Sequence, residues 1–154
     1  MSDTVESRLT ALGITLPSPP APAANYVPFV RTGNLLYVSG QVPMGPNGIE
    51  HQGKLGADYT IEQGQAAARL CAINLLAQAK IASGDLNKVR CLKLNGFVNC
   101  TPEFGDQPKV VNGASDLMVE VLGDKGKHAR AAVGSSSLPF GVAVEVEGIF
   151  EIAD

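Results

Sequence analysis

The sequence predicts an α/β protein of the α+β type, with two helices packed against one mixed β-sheet. Two observations carry this prediction: apolar residues recur at helical spacing in two long segments, and they alternate strictly at the carboxyl-terminal end. The predicted order is ββ-α-β-α-ββ, and we expect both helices to cover the same face of the sheet. With 154 residues, the chain is long enough for one domain with its own core.

The longer helix is predicted over residues 61–83. Thr60 suits the N-cap, Gln63 can complete a capping box with it, and Gly84 suits the C-terminal cap. Small residues make the predicted buried stripe thin, so that this helix can lie close to a sheet. The stripe comprises Ile61, Gly64, Ala68, Cys71, Ala72, Leu75, Ala79 and Ala82, whereas Glu62, Arg69, Asn74 and Lys80 fall off it.

The second helix is predicted over residues 108–122, with Pro108 in the first turn and Gly123 after the last. Its buried stripe comprises Val110, Ala114, Leu117, Met118 and Val121. Residues 43–60 are predicted as a loop. The predicted strands are 26–31, 35–42, 89–98, 129–134 and 142–152, the first two joined by a turn at 32–34.

The last strand places Val144 and Val146 on one face, and Glu145 and Glu147 among apolar neighbours on the other. An uncovered sheet face is unusual in a monomer of this size, so we expect it to pack against further copies of the chain. Charged residues make up only 18 % of the sequence, which fits an oligomer but also fits ordinary variation in composition.

Residues 1–23 are predicted as an amino-terminal arm, and residues 24–154 as the single folded domain. Within the arm, residues 3–12 form a short helix with Ser2 or Asp3 as its cap, and the proline-rich run 16–22 is extended. The arm is either a free tail or a strap that lies on the domain.

Composition excludes several classes of protein. The net charge is −3 and no basic run occurs, so a nucleic-acid partner is not expected. No apolar stretch is long enough to cross a membrane, and the polar amino terminus is not a signal peptide. The 3 cysteines form no disulfide framework and the 2 histidines no metal motif, so we expect a cytoplasmic protein without a metal site.

Four short motifs resemble the reactive intermediate deaminase family (Rid/YjgF, also called endoribonuclease L-PSP). They are SGQVP at 39–43, ARAAV at 129–133, LP at 138–139 and VEVEGI at 144–149, and Tyr26 resembles the family's tyrosine near the first strand. The resemblance covers residues 24–152. Ala132 departs from the cysteine common at that position, and the longer arm is similar to a less characterised subgroup.

The resemblance implies a chorismate mutase-like fold: a homotrimer with sheets around a central barrel and ligand clefts between adjacent subunits. It implies hydrolysis of small reactive 2-imino or enamine acids, which pyridoxal phosphate-dependent dehydratases release, to 2-oxo acids and ammonia without any cofactor. In this reading Arg130 clamps the substrate carboxylate and Glu145 positions water. Tyr26, Ser39 and Gly40 complete the substrate-binding residues.

The residues by themselves leave alternatives open. Arg130 can form a structural salt bridge with Glu145 or Glu147, Glu145 can be an ordinary polar-face residue, and Tyr26 a half-buried aromatic. The function can also be that of a non-catalytic binder of small carboxylates, such as a metabolite sensor. Endoribonuclease activity ranks lowest, because the chain is acidic and has no clear stacking platform for bases.

Overall fold

The computed structural model describes residues 3–19 and 25–154. The predicted order of the main elements is confirmed, and the loop predicted over 43–60 contains one additional two-stranded ladder. The elements are α1 (Val5–Ala11), β1 (Phe29–Thr32), β2 (Leu35–Gln41), β3 (Met44–Gly45), β4 (Gly48–Ile49), α2 (Ile61–Ser83), β5 (Val89–Asn99), α3 (Gln107–Leu122), β6 (Ala129–Ser135) and β7 (Val144–Ile152).

The main sheet has five strands in the order β1-β2-β7-β5-β6. Neighbouring strands are antiparallel except β5 and β6, which run parallel. A parallel pair needs a crossover connection, and α3 supplies it between these two strands. The strands β1 and β6 therefore form the two edges of the sheet, β1 directly after Pro28, which cannot donate to a ladder.

Both helices cover one face of the sheet, as predicted. Val144, Val146 and Phe150 of β7 are fully buried in the core between sheet and helices. Glu145, Glu147 and other alternate residues are only partly buried on the opposite face. In the described chain this second face stays largely open and also carries Tyr37, Phe97, Val133 and Ile149.

The predicted ends of α2 are confirmed. The side chain of Thr60 accepts from the Gln63 amide, the Gln63 side chain accepts from the Thr60 amide, and Gly84 ends the helix in the left-handed conformation. The prediction that Asn74 lies off the buried surface was wrong. Asn74 is buried and donates to the carbonyls of Val42 and Met44, both at 3.1 Å, because α2 is covered by α3 and by the chain after β2 as well as by the sheet.

The two long helices cross at close range. A Cβ atom added to Gly113 of α3 would lie 2.1 Å from the carbonyl oxygen of Gln65 in α2. On the sheet side, a Cβ added to Gly96 of β5 would lie 2.6 Å from a methyl group of Val111. Glycine at both positions therefore permits the close packing of α3 against α2 and against β5.

The amino-terminal helix packs on the domain through Val5 and Leu9, which join the main core. Its predicted cap was wrong: Ser2 lies outside the described residues, Asp3 pairs with Arg8, and the side chain of Thr4 accepts from the Ser7 amide. The predicted extended run 16–22 falls partly outside the described residues. No helix in residues 3–19 and 25–154 is long and apolar enough to cross a membrane.

Candidate functional site

Ser39 and Gly40 lie in an irregularity at the end of β2. The pairing of β2 with β7 shifts register between Val38 and Gln41, and such bulges commonly occur next to functional sites. The Ser39 hydroxyl donates to the Val27 carbonyl at 2.7 Å, and the Ser39 amide donates to the Pro28 carbonyl at 2.9 Å. These bonds fix the segment that begins at Tyr26, whose side chain is 63 % exposed.

The carboxylate of Glu145 lies against this bulge. A Cβ atom added to Gly40 would lie 3.0 Å from Glu145 Oε2, so glycine at position 40 lets the carboxylate approach the backbone of β2. Burial raises the pKa of Glu145, and the like charge of Glu147 on the same face raises it further. A carboxylate whose pKa is raised toward neutral pH is better suited to exchange a proton with water during a reaction.

Arg130 lies on the edge strand β6 and contacts α3. Its Nη1 donates to Asn112 Oδ1 at 2.9 Å and to Ser115 Oγ at 3.1 Å, and its Nη2 donates to the Pro108 carbonyl at 3.2 Å. All three acceptors are neutral. None of the ion pairs within the described ranges involves Arg130, so the alternative of an intrachain salt bridge to Glu145 or Glu147 is not found.

One chain places the predicted site residues in two groups. Ser39, Gly40 and Glu145 lie together, and the segment that starts at Tyr26 is hydrogen-bonded to Ser39. Arg130 pairs in register with the buried Leu94 and therefore faces the helix layer, whereas Glu145 projects from the opposite face of the sheet. Strand β5 also separates β6 from β7, so a small ligand cannot contact both groups within one chain.

Sequence reasoning missed the residues that hold Arg130. Asn112 and Ser115 flank the apolar stripe predicted for α3, and His128 precedes β6, with its Nε2 atom 2.9 Å from Ser115 Oγ. Polar residues at positions i and i+3 of a helix share a face, but solvent-facing residues show the same spacing. The spacing alone therefore gives no signal that these side chains meet Arg130.

The buried cysteines are poorly suited to nucleophilic chemistry. Burial raises the pKa of the Cys71 thiol well above its usual range, and it raises the pKa of Cys91 to about 12. Since the thiolate is the reactive form, neither thiol is poised to react near neutral pH. Within the described residues, no group of three or more histidine, cysteine and carboxylate side chains could hold a metal ion.

A family model described as "YjgF/chorismate mutase-like, putative endoribonuclease" matches residues 6–150. The chain belongs to this family, known as Rid/YjgF. The sheet with two helices on one face is accordingly the chorismate mutase-like fold of that family.

Three solved structures are similar to this chain along most of its length. Atu1372 from Agrobacterium tumefaciens is 54 % identical, with a TM-score of 0.90 over 97 % of this chain and 94 % of that one. A "putative endoribonuclease" from Shewanella oneidensis is 38 % identical, with a TM-score of 0.93 over 97 % and 100 %. RidA from an Antarctic Psychrobacter is 30 % identical, with a TM-score of 0.61 over 88 % and 94 %. The chain is thus more similar in structure to the first two proteins than to this RidA.

Proposed function

We propose that this protein hydrolyses small 2-imino acids, or the enamines in equilibrium with them, to 2-oxo acids and ammonia. The observation that carries the proposal is Glu145, a partly buried carboxylate with a raised pKa that is held against Gly40. Arg130 supports it, because a guanidinium with only neutral partners on an edge strand can still pair with an anionic ligand.

The proposed site requires two copies of the chain. Since Arg130 and Glu145 lie on opposite faces of one sheet, we place Arg130 of one subunit opposite Glu145 of its neighbour, with the edge strand β6 at their boundary. A closed trimer repeats this contact three times. The arrangement agrees with the homotrimer that the family resemblance implies, and packing between subunits would cover part of the open sheet face.

In the proposed reaction Arg130 binds the substrate carboxylate and Glu145 holds a water molecule beside the imine carbon. The water oxygen bonds to that carbon, the π electrons of the C=N bond move to nitrogen, and Glu145 takes the water proton. Glu145 then gives this proton to nitrogen. As the C–N bond breaks and ammonia leaves, the C=O bond forms and the remaining hydroxyl proton passes to Glu145, which releases it to ammonia. A protonated imine is already electrophilic, so correct placement of water and substrate supplies much of the acceleration.

The test follows 2-oxo acid formation while a dehydratase generates 2-aminoacrylate or 2-iminobutyrate. Arg130→Lys keeps the charge but loses the planar fork, and we expect kcat/KM to fall about 10- to 100-fold. Glu145→Gln should retain binding of 2-oxobutyrate but lower kcat by at least about 100-fold, because its amide cannot take the proton. The exposed residues Arg31 and Glu120 offer matched controls, as Arg31→Lys and Glu120→Gln should match wild type.

Two other functions predict different outcomes of this test. A non-catalytic sensor would bind 2-oxobutyrate through Arg130 but give no acceleration over the reaction without protein. An endoribonuclease, the activity named in the family description, would cleave RNA when highly purified and lose that cleavage in Arg130→Ala. The net charge of −3 disfavours the nuclease, since binding to phosphates depends on cationic side chains.

A further inference from the structure

The side chain of Ser115 lies between Arg130 and His128. Its Oγ atom is 3.1 Å from Arg130 Nη1 and 2.9 Å from His128 Nε2, while His128 Nδ1 contacts the carbonyl oxygen of Gly126. We propose that Ser115 and His128 are positioning residues, which hold the Arg130 guanidinium in one orientation and leave a defined pair of its donors for the substrate carboxylate. The ligand part of this inference rests on the proposed function.

With His128 neutral, the hydrogen-bonding groups give one direction for each contact. A carbonyl oxygen only accepts, so Nδ1 of His128 carries the hydrogen that it donates to Gly126. In the neutral imidazole Nε2 is then an acceptor, and it takes the single hydrogen of the Ser115 hydroxyl. The lone pairs of Ser115 Oγ consequently face Arg130, which can only donate.

These contacts determine which donors of Arg130 remain. A guanidinium has five N–H groups. Two on Nη1 donate to Asn112 and Ser115, and one on Nη2 donates to the Pro108 carbonyl, which leaves Nε–H and one Nη2–H free of partners among the described residues. Two donors on separate nitrogens of one plane suit the two oxygens of a carboxylate.

The hydrogen bonds that hold Arg130 connect α3 to β6 at the edge of the sheet. Pro108, Asn112 and Ser115 lie at positions i, i+4 and i+7 of α3 and therefore share one helix face. His128 and Arg130 are two residues apart where β6 begins, so both side chains reach that face. Any displacement of α3 relative to β6 would therefore move the guanidinium, which couples helix packing to the orientation of the anion-binding group.

The first measurement does not depend on catalysis. NMR of ¹⁵N,¹³C-arginine-labelled protein reports rotation of each guanidinium about its Nε–Cζ bond, and Arg130→Lys assigns the Arg130 signal. We expect slow rotation in the wild type and rotation about tenfold faster in Ser115→Ala, since one hydrogen bond to a charged group is lost. Ser115→Thr keeps the hydroxyl and should restore slow rotation, and His128→Ala should accelerate it because the hydroxyl loses its acceptor.

The second measurement is turnover of the 2-imino acid by the same variants. Ser115→Ala should raise KM about tenfold with little change in kcat, because Arg130 binds the carboxylate equally in ground and transition states. The exposed neighbour on α3 supplies the control, Asp116→Ala, which should match wild type in both measurements. Equal rotation rates in wild type, Ser115→Ala and His128→Ala would overturn the positioning role of Ser115 and His128. If the wild type is inactive but its Arg130 still rotates slowly, the proposed function is overturned and the positioning role of Ser115 and His128 is retained.

Discussion

Glu145 lies at a position on β7 where its surroundings disfavour the negative charge of its carboxylate. Val144 and Val146 point into the core, so alternation directs Glu145 to the open face. There the bulge at Gly40 removes water from one side of the carboxylate, and Glu147 places a second negative charge on the same face. Both effects raise the pKa of Glu145 above its ordinary value of 4.5, so ionisation of this side chain opposes folding.

We predict that Glu145→Gln stabilises the protein at neutral pH. The folded state binds the Glu145 proton more tightly than the unfolded state, so the contribution of Glu145 to stability falls as pH rises from 4.5 through its raised pKa in the folded state. Glu145→Gln does not lose stability in this way, because glutamine does not ionise. Its Tm should exceed that of the wild type at pH 7, and the difference should shrink as pH is lowered toward 4.5, as measured by thermal unfolding at a series of pH values.

The exposed Glu120 of α3 provides the matched control for this measurement. Glu120→Gln removes a carboxylate of the same kind from a solvated surface, where burial does not oppose its charge. A Tm difference for Glu145→Gln that is zero or negative at pH 7, or that grows on acidification, would show that the fold stabilises the charged form of Glu145.

At the scale of elements, the packing of α3 depends on glycine at position 113. Alanine normally favours a helix interior over glycine by about 1 kcal/mol. At Gly113, however, the added Cβ would overlap the backbone oxygen of Gln65 at 2.1 Å, and a backbone atom cannot move aside as the end of a side chain can. We therefore predict that Gly113→Ala destabilises the protein by about 1–3 kcal/mol, the usual cost of overpacking, measured by chemical denaturation.

The matched control for this substitution is Gly105→Ala. An added Cβ at Gly105 would meet no atom within 4 Å, and the residue is not among those with a positive φ angle. The free energy of unfolding of Gly105→Ala should stay within about 0.5 kcal/mol of the wild-type value, as is usual for surface substitutions. If Gly113→Ala proved as stable as Gly105→Ala, the close crossing of α2 and α3 would not be required for the fold.

Most of the elements could be predicted because their signals are local. The bounds of α2 follow from Thr60, Gln63 and Gly84, and α3 begins one residue before its predicted start at Pro108. The environment of Asn74 could not be predicted, because its burial depends on the chain after β2, which lies about thirty residues earlier in the sequence. Helical spacing shows which residues share a face, but it does not show how many neighbours cover the helix.

The sequence predicts less of the candidate site than of the fold. Alternation along β7 predicts that Glu145 lies on the second face, and the structure confirms that orientation. The direction of Arg130 depends instead on the parallel pairing of β6 with β5 and on the position of α3, which are long-range features. For the same reason the contacts of Asn112, Ser115 and His128 have no counterpart in local spacing, and the proposed roles of Arg130 and Glu145 rest on the family resemblance together with this geometry.

At the scale of the whole molecule, the open face of the sheet is a surface that a single chain leaves largely uncovered. Tyr37 and Val133 on this face are 44 % and 46 % exposed, next to partly buried carboxylates. Apolar side chains in such a setting favour association with another protein surface. In a trimer the neighbouring copies would bury part of this face, and the same contact would bring Arg130 of one subunit toward Glu145 of the next.

This arrangement predicts that two variants with low kcat/KM restore activity when their subunits are mixed. Arg130→Ala retains Glu145, and Glu145→Gln retains Arg130, so an interface between the two variants in the correct order holds both residues. After denaturation together at a 1:1 ratio and refolding, random assembly of a cyclic trimer should give wild-type pairs at about one quarter of all interfaces. The mixture should therefore show about one quarter of the wild-type kcat/KM, measured at substrate concentrations below KM. Light scattering should give the mass of three chains. A mixed trimer without activity would mean that Arg130 and Glu145 do not act together across a subunit boundary, whereas a stable monomer at micromolar concentration would remove the shared site altogether.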